Sequence, residues 1–186
     1  MRIIAGAWRG RALAAPVGDA TRPTADRLRQ ALFDMVLHAP WGGRALLDGA
    51  HVLDAFAGTG ALGLEALSRG ALSASFIERD PAALAALRAN VAACRAEPRC
   101  AVFAADALAP PRGRPTRLVF LDPPYALGLL PRATAALARA GWIADDTIIV
   151  AEAGRDETPE LGRKVAERAH GAGRITVWVA GAALVP

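Results

Sequence analysis

Lysine is all but missing from this chain of 186 residues: Lys164 is the only one, and arginine carries the rest of the positive charge. Cysteine is scarce as well. Cys94 and Cys100 form no C-x-x-C pair, and His38, His51 and His170 are scattered, so neither a disulfide framework nor a metal site is expected. No window approaches 18 uncharged apolar residues, which argues against a membrane-spanning helix. The opening Met1-Arg2-Ile3-Ile4-Ala5-Gly6 lacks the long apolar stretch of a secretory leader, so a cytoplasmic protein is expected. There is no internal repeat and no linker long enough to divide the chain. Residues 1–186 are therefore read as one domain, large enough for a genuine core and, with 53% apolar residues, too apolar for disorder.

What is present is arginine in a particular place. The formal net charge is +4, and Arg2, Arg9, Arg11, Arg22, Arg27 and Arg29 crowd the first thirty residues against only Asp19 and Asp26. Guanidinium forks suit phosphate, and Trp8 beside Arg9 offers a surface on which a base could stack. A solvated basic arm would show the same composition.

Two short apolar runs, Arg2–Ala5 and Ala12–Ala15, are separated by Gly6-Ala7-Trp8-Arg9-Gly10 and read as a hairpin or an extended arm. Pro23-Thr24 opens a helix in which Leu28, Ala31, Leu32, Met35 and Val36 recur at helical spacing; Pro40 and Gly42-Gly43 end it. From His51 onward strands and helices alternate. Strands are predicted at Val52–Ala55, Ala74–Ile77, Ala101–Ala104, Leu118–Leu121 and Ile148–Ala151, with helices at Ala61–Arg69, Pro81–Ala96 and Leu129–Ala140. That alternation predicts a parallel sheet covered by helices on both faces. Two last strands, Lys164–Ala169 and Ile175–Ala180, are joined by His170-Gly171-Ala172-Gly173, a hairpin that would add an antiparallel strand to the sheet edge.

The first of these strands runs into Asp54-Ala55-Phe56-Ala57-Gly58-Thr59-Gly60-Ala61-Leu62-Gly63, a G-x-G-x-x-G between strand and helix. Twenty residues after Gly58, Glu78 closes the second strand, where a carboxylate can accept hydrogen bonds from ribose hydroxyls. This unit suits a nucleoside-containing cofactor but does not separate NAD from S-adenosylmethionine. Two further features do. Asp106 follows the third strand, within reach of an adenine amino group. Asp122-Pro123-Pro124-Tyr125 follows the fourth, and its two adjacent prolines stiffen the turn. Asp122 and the Pro123 carbonyl could accept both N–H bonds of an exocyclic amine while Tyr125 stacks on the base.

With these motifs in place, the chain resembles the DPPY-type amino methyltransferases. More closely it is similar to the bacterial 16S rRNA (guanine-N2)-methyltransferases of the ribosomal small-subunit methyltransferase D type. The likeness lies in Arg2–Arg11, in Thr21-Arg22-Pro23-Thr24-Ala25-Asp26-Arg27-Leu28-Arg29-Gln30-Ala31-Leu32-Phe33, in Leu53–Gly70 and in Asp122–Tyr125. Gln30 and Asp34 stand where the family usually has Glu and Asn, and His170 and Ala172 where Tyr and Asp are expected. The resemblance implies an α/β, Rossmann-like, seven-stranded fold with an antiparallel edge hairpin. It implies S-adenosylmethionine as cofactor, held by Asp54, Gly58, Gly60, Glu78 and Asp106, with Asp122, Pro123, Pro124 and Tyr125 at the reacting amine. It also implies 16S rRNA of the small ribosomal subunit as partner, contacted by Arg9, Arg11, Arg22, Arg27 and Arg29 in the arm and first helix (residues 1–40), and a monomeric enzyme. Rival readings are a DNA adenine-N6 or cytosine-N4 methyltransferase, an oxidoreductase, and a catalytically silent RNA-binding protein.

Overall fold

A computed structural model of the chain describes residues 1–15, 23–124, 128–154, 157, 159–170 and 173–181, without the side chains of 23–25 and 170. Seven strands form one sheet in the order β3-β2-β1-β4-β5-β7-β6. The strands are β1 (His51–Ala55), β2 (Ser73–Glu78), β3 (Cys100–Ala104), β4 (Leu118–Leu121), β5 (Ile148–Gly154), β6 (Arg163–His170) and β7 (Gly173–Val179). Strands β1 to β5 are parallel, while β7 runs antiparallel between β5 and β6. The expected edge hairpin is therefore present, with β7 inserted against β5 and β6 left at the edge. Of its four turn residues, Gly171 and Ala172 lie outside the described residues.

The helices are α1 (Pro23–His38), α2 (Ala61–Ser68), α3 (Pro81–Ala93) and α4 (Leu129–Arg139). Strand pleating sends alternate residues to opposite faces. Val52, Phe76, Phe120 and Val150 face the core shared with α1, α2 and α3, whereas Leu53, Ile77, Val119 and Ile149 face Leu130 and Leu137 of α4. Helix α3 stops three residues short of the predicted Ala96. Arg95 takes a left-handed φ of 52°, and the Ala96 N–H turns back to the Val91 carbonyl at 3.0 Å, which satisfies an end carbonyl.

The core face of α1 is rotated by one position from the predicted stripe. Leu32, Phe33 and Val36 are buried, whereas Leu28, Ala31 and Met35 sit on the flank. The bulk of Phe33 decides this: its ring meets that of Phe120 at 5.6 Å between centroids, and the Arg69 guanidinium lies 4.7 Å over it. The rotation has a consequence four residues earlier. Arg29 lies on the same helix face as Leu32, Phe33 and Val36 and is only 5% exposed.

The N-terminal arm is a tight hairpin, with Ile3 N–H donating to the Arg11 carbonyl at 2.9 Å and Leu13 N–H to the Met1 carbonyl at 3.0 Å. It is fastened to α2 through Glu65, which is fully buried. One Glu65 oxygen accepts from the Ile4 N–H (2.8 Å), the other from the Ala5 N–H (3.0 Å) and from Arg69 Nε (2.7 Å). Arg29 Nε adds its charge at 3.7 Å from the same carboxylate. Asn90 of α3 makes a second anchor, accepting from the Ala14 N–H at 2.7 Å and donating to the carbonyls of Ala14 and Thr59, both at 3.0 Å.

Candidate functional site

Strand order reverses between β1 and β4, and in open α/β sheets ligands bind in the crevice outside the carboxyl ends of the strands at such a switch point. The loop after β1 shapes one wall. Gly58 has a φ of 53°, and a Cβ built on it would meet nothing within 4 Å, so its backbone faces open space. Gly60 and Gly63 serve packing instead: a Cβ on Gly60 would come 2.3 Å from Leu87 Cδ1, and one on Gly63 2.4 Å from Phe76 Cε1. Phe56 holds a left-handed φ of 69°, an unfavourable conformation for a bulky residue. Its N–H and that of Ala57 both donate to the Ile77 carbonyl, at 3.1 and 3.0 Å, which fixes the loop against the end of β2.

Four carboxylates lie on this side of the sheet, each within two residues of the carboxyl end of a parallel strand. Asp54, 2% exposed, accepts the Gly63 N–H at 2.9 Å and so ties β1 to the first turn of α2. Burial pushes its pKa up to about 7, opposed by the Gly63 hydrogen bond and reinforced by the charge of Glu78. Glu78 accepts from the Gly58 N–H at 2.7 Å through one oxygen and from the N–H groups of Arg79 (2.7 Å) and Asp80 (2.8 Å) through the other. Three of its roughly four acceptor sites are thus taken. A ribose diol would use the open site and compete with Gly58 for the second. Asp106 accepts the Leu108 N–H at 2.9 Å and pairs with the exposed Arg79 at 2.8 Å. The Leu108 bond and then Arg79 hold its carboxyl below the usual range.

Asp122 follows β4 directly and is exposed to solvent, with Glu152 and Asp54 as its acidic neighbours. Desolvation comes first, followed by the charges of Glu152 and Asp54 and a hydrogen bond with Glu152, and together they push its pKa up to about 8. Because solvent reaches the residue, the repulsion from two neighbouring acids is the firmer cause of the upward direction. Pro123 is buried and Pro124 exposed; Tyr125 lies outside the described residues.

The arm residues divide. Arg2, Arg9 and Arg27 are exposed and line a cavity of about 330 Å³ with Ile3, Ile4, Gly10, Asp26 and Gln30. Arg11 donates to the Ala93 carbonyl at the end of α3. Arg22 lies outside the described residues. Arg29 departs from the expectation: its guanidinium is turned inward, donating to the Arg2 carbonyl (2.6 Å) and to Asp26 (2.8 Å), so it holds the arm and is not presented to solvent. Trp8 is half-buried under the Arg99 guanidinium, 5.6 Å from its ring centre, so one face of the expected stacking surface is occupied. Glu65, Asn90 and Glu152 were missed by the sequence reading. Glu65 carried a signal, an acid in the otherwise apolar run Ala61–Leu67; Glu152 carried the same signal as Glu78 and Asp122, an acid closing an apolar strand.

Comparison with known proteins settles the relationship. The family model described as Conserved hypothetical protein 95 matches residues 1–179. Ribosomal RNA small subunit methyltransferase D of Escherichia coli is 42% identical over 153 residues, spanning 82% of this chain and 74% of that protein. The chain belongs to this family. The Haemophilus influenzae methyltransferase D is 34% identical, covering 92% of this chain and 89% of its own. Among solved structures, yhhF of Escherichia coli superposes with a TM-score of 0.82 at 36% identity over 98% of both chains. The Thermus thermophilus 16S rRNA N2 G1207 methyltransferase, solved with AdoMet and guanosine, shares the fold at a TM-score of 0.66. It is 18% identical and covers 88% of this chain and 44% of its own. The methyltransferase D family thus has the Rossmann-like sheet described above, and in this member the open backbone at Gly58 and the carboxylate of Glu78 fit an adenosyl cofactor.

Proposed function

We propose that this protein methylates ribosomal RNA, transferring a methyl group from S-adenosylmethionine to the N2 amine of a guanine in the 16S rRNA of the small subunit. The observation that carries the reading is the position of Asp122 at the carboxyl end of β4, next to β1 and near Asp54, followed by two prolines. S-adenosylmethionine, when bound, supplies a methyl group on a sulfonium, and the electron pair of the broken C–S bond stays on sulfur. Glu78 receives the ribose hydroxyls, Asp106 the adenine amino group, and the backbone at Gly58 and Gly60 passes beside the methionine portion, with Asp54 bracing the loop.

Guanine N2 is a weak nucleophile because its lone pair is delocalised into the ring. Asp122 and the Pro123 carbonyl would accept hydrogen bonds from its two N–H groups, favour a pyramidal nitrogen and stabilise the positive charge that develops there. This is preorganised electrostatics combined with positioning. On methylation the amine would release one proton, and the ionised form of Asp122, whose raised pKa suits it to take up a proton near neutral pH, would accept it and pass it to solvent. Pro124 keeps the turn stiff, and Tyr125 stacks on the base. Arg9, Arg11, Arg22 and Arg27, in the arm and first helix, steer the RNA backbone, and the enzyme acts in the cytoplasm as a monomer on a partly assembled small subunit.

The direct test is to incubate the purified protein with labelled cofactor and small-subunit particles from cells lacking the gene, then identify the labelled nucleoside. N2-methylguanosine in 16S rRNA is expected. Label in N6-methyladenosine, in another nucleoside, or in none would contradict the reading.

A further inference from the structure

The amine clamp as described has no means of choosing guanine. Asp122 and the Pro123 carbonyl would accept the exocyclic amine of adenine or cytosine equally well. What differs among the bases is the ring position beside the amine. Guanine carries a donor there, N1–H, whereas adenine N1 and cytosine N3 present lone pairs.

A second carboxyl stands where that difference would be read. Strands β4 and β5 are parallel with Phe120 opposite Val150 and Leu121 opposite Ala151, and the residues that follow this last pair on the two chains are Asp122 and Glu152. Both continue the face of Phe120 and Val150, the face that also carries Asp54. Glu152 is half-buried, and its carboxyl is hydrogen-bonded to that of Asp122. Resting on the function proposed above, we infer that Glu152 is the specificity residue for guanine. It accepts N1–H while Asp122 accepts from the adjacent N2 amine. A base with a lone pair at that position would face a carboxylate oxygen and bring no proton to it, leaving a desolvated acceptor unpaired.

2-Aminopurine separates this role from simple support of Asp122, because it keeps the N2 amine and replaces N1–H by a lone pair. The experiment compares kcat/KM on 16S rRNA carrying guanine or 2-aminopurine at the methylated position, for the parent and for Glu152→Gln. The parent should prefer guanine on the order of 10²-fold, the cost of one unpaired charged hydrogen-bond partner. In E152Q, whose amide can turn a donor toward N1, the preference should fall below about 10-fold. The fluorescence of 2-aminopurine reads equilibrium binding in parallel, so the comparison survives a slow variant: E152Q should bind the 2-aminopurine RNA more tightly than the parent does. An unchanged preference, or unchanged or weaker binding of 2-aminopurine RNA, overturns the role of Glu152 while leaving guanine methylation standing. A parent that does not methylate guanine overturns both.

Discussion

Two groups of acids lie near helix α2, Glu65 beneath the arm and Asp54 with Asp122 at the strand ends, and their surroundings differ in kind. Glu65, beneath the arm, is matched on every side by Ile4 and Ala5 N–H groups and the Arg29 and Arg69 guanidinium groups. At the crevice, Asp54 has a single N–H donor and Glu78 as a like-charged neighbour, and Asp122 has Asp54 and Glu152. A buried charge needs partners to be tolerated. The first group meets that requirement and fastens a hairpin. The second leaves it unmet, and its pKa values rise. Acids whose charge is poorly compensated in a crevice are candidates for binding donors that arrive from outside.

The largest expected effect lies at the satisfied end. Glu65→Gln removes one partner from two nearly buried arginines, a change that typically costs about 3–5 kcal/mol. Urea unfolding should register that loss; a cost below about 1 kcal/mol, the range of an exposed pair, would break the contrast.

Asp54 sharpens the comparison through pH. Its folded pKa is raised, to about 7, so between the ordinary carboxylate range and pH 7 the unfolded chain has released a proton that the folded chain keeps. Unfolding is therefore favoured increasingly as pH rises through that window, and the penalty is constant above it. Asp54→Asn, which keeps an oxygen for the Gly63 N–H, should gain stability relative to the parent from pH 5 to 7 and hold the gain to pH 8.5. A difference in Tm that is flat over pH 5–7 would mean that Asp54 ionises as readily folded as unfolded.

The smallest effect belongs to the arm's surface. Replacing the exposed Arg9 and Arg27 by Ala should make the slope of log binding constant against log salt shallower by about one to two, at roughly 0.7–0.9 per phosphate released. Tm should stay close to the parent's. An unchanged slope with a lower Tm would make these arginines structural like Arg29.

Much of this architecture could be read from residue order. Short apolar strands alternating with helices predict the sheet, and the acids at 54, 78, 106 and 122 mark the carboxyl ends of its strands. The fate of Arg29 was not legible, because it depends on which of two overlapping helical stripes faces the sheet. Phe120, far away in the chain, decides that by packing on Phe33. Glu152 was hidden differently: β5 was predicted to end at Ala151 but runs to Gly154, and the importance of its acid comes from the lateral register with Asp122. Pairing between distant segments carries that information, and local periodicity does not.

The claim that the poorly compensated acids perform the chemistry is tested most directly by the methyl-transfer rate of Asp122→Ala under saturating cofactor and RNA, read beside its Tm. The rate should fall by about 10²–10³, the usual cost of one preorganised group, with cofactor affinity and Tm close to those of the parent. A variant that keeps more than about a tenth of the parent rate, well short of that loss, would contradict the account.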